Sequence, residues 1–172
     1  MKYFNGFSLH GEETFFREYL VKSDFCVAGF SYGAQKALEY VYEMPKRVDR
    51  LILLSPAFFQ EEKASFRRTQ LRYFKAEEEA YIEQFLCNAA YPSAVTLLPF
   101  LQSGTSEELE ALLSYRWEPE KMEKILQRGT VIEVFLGGKD AIVDTTSAAA
   151  FFEKYATVYH IKKAGHLLLS GE

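Results

Sequence analysis

The chain has 172 residues, enough for one domain to bury a core without disulfides or a structural metal. A formal charge of −4 argues against nucleic acid as the partner of the chain as a whole, and the 48% hydrophobic and 26% charged fractions are those of an ordinary globular protein. The two cysteines, Cys26 and Cys87, both in apolar surroundings, read as buried free thiols. No apolar run reaches the length of a membrane span, and Met1 leads at once into a strand-like segment, so a reducing, cytoplasmic setting is expected.

The first apolar run, Tyr3-Phe4, is broken by Asn5-Gly6. Phe15, Phe16, Tyr19 and Leu20 then fall at helical spacing, which predicts a helix over roughly 12–22. Residues 25–29 form a short apolar run ending in glycine, read as a buried strand. The next segment, 32–43, is rich in helix formers and is followed by Pro45. Another apolar run, 51–54, closes on Ser55-Pro56. Near the end the pattern returns, with a strand over 131–136, a helix over 145–155 and a strand over 157–161. Fully apolar strands alternating with helices predict a parallel sheet covered on both faces. Between about 57 and 129 the pattern is helical, broken at Pro92, Pro99, Gly104 and Pro119. It is read as a helical lid inserted between two strands of a single domain, 1–172.

Gly29-Phe30-Ser31-Tyr32-Gly33 matches G-x-S-x-G between a strand and a helix. A chain turning that sharply needs glycine two positions either side of the serine. The turn would leave the Ser31 hydroxyl at the carboxyl edge of the sheet and at a helix N-terminus, where developing negative charge is favoured. Serine as nucleophile requires a base, and the base requires an orienting acid. Of three histidines, His166 follows the last strand in a loop, whereas His160 lies inside that strand and His10 near the N-terminal glycine loop. The acid is expected at Asp140, after the strand over 131–136, with Asp144 as the alternative; a turn or helix N-cap is the common use of either. An oxyanion would be held by the backbone N–H groups of Tyr32 and Phe7, although Asn5-Gly6 also fits an ordinary turn. No metal or cofactor is expected.

The residues 5–7, 29–33, 137–143 and 165–166, with Ser31, Asp140 and His166 in that chain order, resemble the α/β-hydrolase superfamily. The resemblance implies a minimal form with five strands in sequential order from edge to edge. The two strands that usually precede the oxyanion loop have no counterpart, nor does the strand usually found between that loop's helix and the nucleophile strand. The chain runs six residues beyond His166, without the usual final helix. Sheet edges left open in this way favour a homodimer.

The short form and its Gly-Phe-Ser-x-Gly elbow look like the compact pimeloyl-acyl-carrier-protein methyl ester esterases of biotin synthesis. This implies hydrolysis of a methyl ester carried on acyl carrier protein. A general small carboxylesterase or thioesterase is the alternative, and a non-catalytic hydrolase-like binding protein a third reading. Lys63, Arg67, Arg68, Arg72 and Lys75 form a run without an acidic residue, and on a helix Arg68, Arg72 and Lys75 share one sector. That face would suit an acidic carrier protein, or it is a solvated lid surface balanced by Glu77, Glu78 and Glu79.

Overall fold

The computed structural model describes residues 1–171. Five strands form one parallel sheet: β1 (Lys2–Phe4), β2 (Cys26–Phe30), β3 (Arg50–Leu54), β4 (Val131–Gly137) and β5 (Thr157–Ile161). They lie in the order β1-β2-β3-β4-β5, as the sequence resemblance implies, which leaves β1 and β5 at the edges. The central strands explain their own composition. All of β2 is buried, as are Leu51 to Leu54 of β3, because a parallel sheet between layers offers no wet side for alternation.

Between these strands run α1 (Tyr32–Glu43), α2 (Ala64–Ala76), α3 (Glu78–Ala90), α4 (Ser106–Ser114), α5 (Pro119–Gln127) and α6 (Thr145–Phe152). Right-handed crossovers from β2 to β3, from β3 to β4 and from β4 to β5 put α1, α5 and α6 on one face. Lys121 of α5 reaches Glu39 of α1 at 2.8 Å, and Trp117, just before α5, packs edge-on against Phe152 of α6 with ring centroids 4.8 Å apart. The segment between β3 and β4 therefore divides. Its last helix covers the sheet, while α2, α3 and α4 pack among themselves and stand over the carboxyl ends of the strands.

The opposite face is covered more lightly, by a 3₁₀ turn, Glu12–Phe16, and the residues after it. This is shorter than the helix expected over 12–22. Its aromatics are anchored to three separate places rather than along one stripe: Phe15 on Phe100, Phe16 on Phe30, and Tyr19 on Phe135. Three smaller boundaries also differ from the sequence reading. Phe25 lies outside β2 and is 46% exposed, α6 ends at Phe152, and Cys87 is exposed while Cys26 is buried. The buried positions of α3 are Ile82, Leu86, Ala89 and Ala90, and Cys87 sits about 100° around the helix from Leu86, off that stripe.

The strand-to-helix turn leaves no room for side chains at its glycines. A Cβ on Gly29 would lie 2.2 Å from the Gly33 carbonyl oxygen, and one on Gly33 would lie 2.0 Å from that of Phe4. Because both obstacles are backbone, Gly33→Ala is expected to cost about 3 kcal/mol or more of stability, read as a lowered urea midpoint at unchanged slope. A loss below about 1 kcal/mol would contradict this packing.

Candidate active site

Ser31 links β2 to α1 with φ 53° and ψ −114°, a left-handed backbone conformation that side chains rarely adopt. The strain is held by three backbone hydrogen bonds. Ser31 N–H donates to the Leu54 carbonyl at 2.9 Å, and the Ser31 carbonyl accepts from Ala34 and Ala57, each at 3.1 Å. The turn is thus tied to its own helix and to the end of the neighbouring strand. The hydroxyl emerges at the carboxyl edge of the sheet with only 3% of the residue exposed.

Two other loops reach the same edge. Gly137, the last residue of β4, and Gly165 approach so closely that a Cβ on Gly137 would lie 2.1 Å from the Gly165 carbonyl oxygen. Lys139 N–H donates to the Ala164 carbonyl at 2.8 Å, which zips the loops together. Behind them the end of α3 forms a wall, since Leu167 N–H donates to Ala89 and a Cβ on Gly165 would meet the Tyr91 carbonyl oxygen at 1.7 Å.

The closeness of these loops has a chemical result. His166 Nδ1 lies 2.6 Å from Asp140 Oδ2, and His166 Nε2 lies 2.9 Å from Ser31 Oγ. The His166 and Asp140 side chains are both fully buried. Asp140 Oδ1 accepts from the N–H groups of Ile142 and Val143 at 2.7 and 2.9 Å, so three donors converge on one carboxylate and fix its plane. With Nδ1–H donating to Asp140, Nε2 is left as an acceptor facing the Ser31 hydroxyl.

Asp144 is not part of this chain. It caps the N-terminus of α6, accepting from Thr146 N–H, Ser147 N–H and the Ser147 hydroxyl. The Ser147 hydroxyl, with these backbone donors, holds its carboxyl below the usual carboxylate range. His160 is on edge strand β5 with Nε2 3.8 Å from Glu153, and His10 Nδ1 lies 3.4 Å from the Asn5 amide. Both are remote from Ser31 in their contacts.

Tyr32 opens α1, and Phe7 lies in the loop after β1. Among the described residues neither N–H group donates to a protein acceptor. A Cβ on Gly6 would lie 2.8 Å from Phe30, so that loop rests against the residue preceding Ser31. Phe7 also lines a cavity of about 320 Å³ beneath the lid, within the range of small-ligand sites. Its walls include Phe59, Phe66, Leu112 and Ile142, with the side-chain amides of Gln70, Gln84 and Asn88 and two tyrosines, Tyr73 and Tyr81, as its polar residues and no charged residue.

On α2, Arg68, Arg72 and Lys75 are exposed, while Phe74 is buried and Phe66 faces the cavity. None of the three basic residues makes an ion pair among the described residues, so Glu77, Glu78 and Glu79 do not neutralise them pairwise. The guanidinium of Arg72 lies 5.5 Å from the ring centre of Tyr73, which is 55% exposed and forms part of the cavity wall.

Two polar residues were not singled out in the sequence. Gln35 is buried in α1 and donates to the carbonyls of Ala57 and Leu112, each at 3.0 Å, joining the nucleophile helix to the lid. Glu12 is fully buried beside the loop that bears Phe7. A polar residue within an apolar-periodic segment is the only sequence sign either gives. Among the described residues no cluster of three or more His, Cys, Asp or Glu could hold a metal ion, and no helix is long and apolar enough to cross a membrane.

No protein-family model matches the sequence, and no curated protein matches it significantly. Solved structures do match in fold. A carboxylesterase of the thaumarchaeon Nitrososphaera gargenis superposes with a TM-score of 0.59 at 15% identity, over 82% of this chain and 57% of its own. A bromoperoxidase of Bacillus anthracis gives 0.64 at 13% identity, over 83% and 60%, and the naproxen esterase of Bacillus subtilis gives 0.54 at 20% identity, over 83% and 53%. The chain thus spans little more than half the length of these structures, and what it shares with them is the α/β-hydrolase fold.

Two substitutions separate the aspartates. Asp140→Asn is expected to lower about 10⁴-fold any turnover in which Ser31 is the nucleophile, by removing the acceptor that selects the His166 tautomer. Asp144→Ala is expected to leave turnover unchanged and cost about 1 kcal/mol of stability as a lost cap. Because the Asp144 carboxyl is depressed, its stabilisation is present above the ordinary carboxylate range and disappears as pH falls through the lowered value, so the stability difference between wild type and Asp144→Ala should close on acidification. Steady-state kinetics and urea melts at two pH values check both.

Proposed function

We propose that this protein is a serine ester hydrolase. The observation carrying the reading is the unbroken hydrogen-bonded chain from Asp140 through His166 to Ser31, buried at the carboxyl edge of the sheet. Ser31 Oγ attacks the ester carbonyl as His166 Nε2 takes its proton, and Asp140 stabilises the imidazolium that forms. The oxyanion accepts from the free N–H groups of Tyr32 and Phe7, the former at the N-terminus of α1 where the helix dipole adds to the stabilisation. The imidazolium then protonates the departing alcohol. A water, deprotonated by the same nitrogen, attacks the acyl-enzyme and releases the acid with Ser31 restored.

The cavity narrows the substrate. Its aromatic and aliphatic walls suit an acyl chain, and its amides offer hydrogen bonds to a neutral polar group without offering a counter-ion to a carboxylate. A diacid esterified at its reacting end and joined through its other end to a carrier is neutral at both ends and meets that description. The basic face of α2 beside the exposed Tyr73 supports delivery by an acidic carrier. The substrate proposed is accordingly a methyl ester of a pimeloyl-type chain on acyl carrier protein. On this reading Arg68, Arg72 and Lys75 are the carrier-binding residues.

Fluorophosphonate labelling followed by peptide mapping tests the nucleophile. Ser31 should be labelled in the wild type, and Ser31→Ala should fold, resist labelling and lose nearly all turnover. Modification of a different serine would refute the assignment.

The carrier is tested by reversing the basic face. Exposed pairs contribute about 1 kcal/mol or less each, so changing Arg68, Arg72 and Lys75 together to Glu should raise the apparent KM for methyl pimeloyl-carrier protein about tenfold at low salt and flatten its salt dependence. Turnover of a small free ester should be unchanged. Equal loss on both substrates would assign these residues to the lid's architecture, and no loss on either would favour a general carboxylesterase.

A further inference from the structure

Glu12 is the buried acid that the mechanism above does not use. It is fully buried, and its Oε1 accepts from the Gly6 N–H at 2.7 Å and from the Tyr3 hydroxyl at 3.2 Å. Its Oε2, equally buried, has no hydrogen-bond partner. A carboxyl group at that depth costs free energy unless its contacts repay the desolvation, so its place under this loop calls for a physical reason.

The reason lies in the peptide units around Gly6. The Asn5–Gly6 unit is held by its N–H, which donates to Glu12. The Gly6–Phe7 unit is held by its carbonyl, which accepts from Leu9 N–H at 3.3 Å. Because a trans peptide is planar, fixing the Gly6 carbonyl fixes the Phe7 N–H pointing the opposite way. Glycine has wide conformational freedom, so with one of these two anchors lost the Gly6–Phe7 plane can rotate. The neighbouring residues are secured independently: Asn5 accepts from Gly11 N–H, the Ser8 hydroxyl from Gly104 N–H, and the Ser8 carbonyl from Gln102 N–H. The Phe7 ring is wedged between Phe74, Phe85 and Gly104. Glu12 is therefore one of the two anchors that hold the glycine joint in a loop whose other residues are secured elsewhere.

On the serine-hydrolase reading, we infer that Glu12 is a positioning residue, whose buried carboxyl holds the Gly6 backbone so that the Phe7 N–H is aimed at the oxyanion over Ser31. Burial pushes the Glu12 carboxyl up from its ordinary value against the hydrogen bonds from Gly6 and Tyr3, and nearby Glu13 pushes in the same direction. The Tyr3 hydroxyl is likewise pushed up, by burial and by Glu12, and stays a donor.

Glutamine reproduces the acceptor that Gly6 N–H meets, whereas methionine fills the volume and alanine leaves it empty. The experiment measures p-nitrophenyl acetate hydrolysis and inhibition by an alkyl trifluoromethyl ketone, whose hemiketal oxyanion mimics the intermediate. Folding is monitored by thermal melts, and Glu12→Met decides if Glu12→Ala does not fold. Loss of an entire oxyanion donor costs about 10²–10³-fold in kcat, so misaiming one should cost about 10-fold or more. The expected result is that kcat falls by that factor in Glu12→Ala and Glu12→Met with KM within about threefold. Inhibition by the ketone should weaken in parallel, and Glu12→Gln should stay within about threefold of wild type. Wild-type kcat in folded Glu12→Ala or Glu12→Met, a change confined to KM, or equal damage in Glu12→Gln would overturn the assignment. Absence of both turnover and fluorophosphonate labelling in the wild-type protein would instead overturn the hydrolase reading on which it rests.

Discussion

The site depends on backbone segments meeting at distances that exclude a Cβ. Gly29 against Gly33 fixes the turn that exposes Ser31, and Gly137 against Gly165 brings the end of β4 to the loop carrying His166. Hydrogen bonds as short as 2.6 and 2.9 Å between three side chains from separate loops require each loop to be placed within a few tenths of an ångström. Side-chain packing alone adjusts too easily to enforce such placement. Backbone in direct contact with backbone does not adjust, and the sheet's register then fixes where every strand ends.

The same economy explains how so few strands suffice. In a parallel sheet of sequential order the carboxyl ends of neighbouring strands lie side by side, so β2 and β4 deliver the serine and the acid to one edge and β5 returns the histidine above them. β3 contributes no reacting side chain. Its end accepts the Ser31 N–H and continues into Ser55, whose N–H donates to Phe135 of β4, so it serves as the spacer that sets the width of the site. The long segment leaving β3 covers this edge with α2, α3 and α4 before α5 returns to the sheet. The two jobs of that segment are separated by Trp117, whose backbone N–H donates to the Gln60 side-chain oxygen and whose indole donates to the Ala57 carbonyl.

Much of this was legible in the residues. Continuous apolar runs marked β2 and β3 because strands buried on both faces cannot alternate, whereas β-branched and aromatic residues marked β4, whose burial alternates around Glu133. Glycines flanking Ser31 marked the turn, and the positions of Asp140 and His166 just past their strands identified the partners the structure brings together. The choice between Asp140 and Asp144 could not be made from sequence, since each is a short acid near a helix start; the structure separates them by giving the cap to Asp144 and the histidine to Asp140. The helix expected over 12–22 fails because period alone does not say whether four aromatic and aliphatic residues share one neighbour. Here the three aromatic ones, Phe15, Phe16 and Tyr19, divide among Phe100, Phe30 and Phe135. Cys87 was misplaced by reading the composition around it rather than its angle on α3.

What sequence reveals least is the polar framework behind the reacting groups. Ser31 and His166 are legible because their chemistry demands a motif, but a buried Glu12 or Gln35 looks like any polar residue on a helix until its partners are known. The physical distinction is one of degrees of freedom. A reacting side chain must present particular atoms, whereas a supporting one need only accept from a given N–H, and several residue types at several positions can do that. Gln35 works in the other sense, donating to the carbonyls of Ala57, after β3, and of Leu112 in α4, and so couples α1 to the cover over the site. The lid is thereby tied at its base to the element whose N-terminus bears Tyr32, while its outer, basic helix α2 has no such tie to α1 among the described hydrogen bonds. Among the described residues the basic face of α2 thus lies outside the contacts that hold the geometry at Ser31, so its charge can be altered without touching the elements that place the serine.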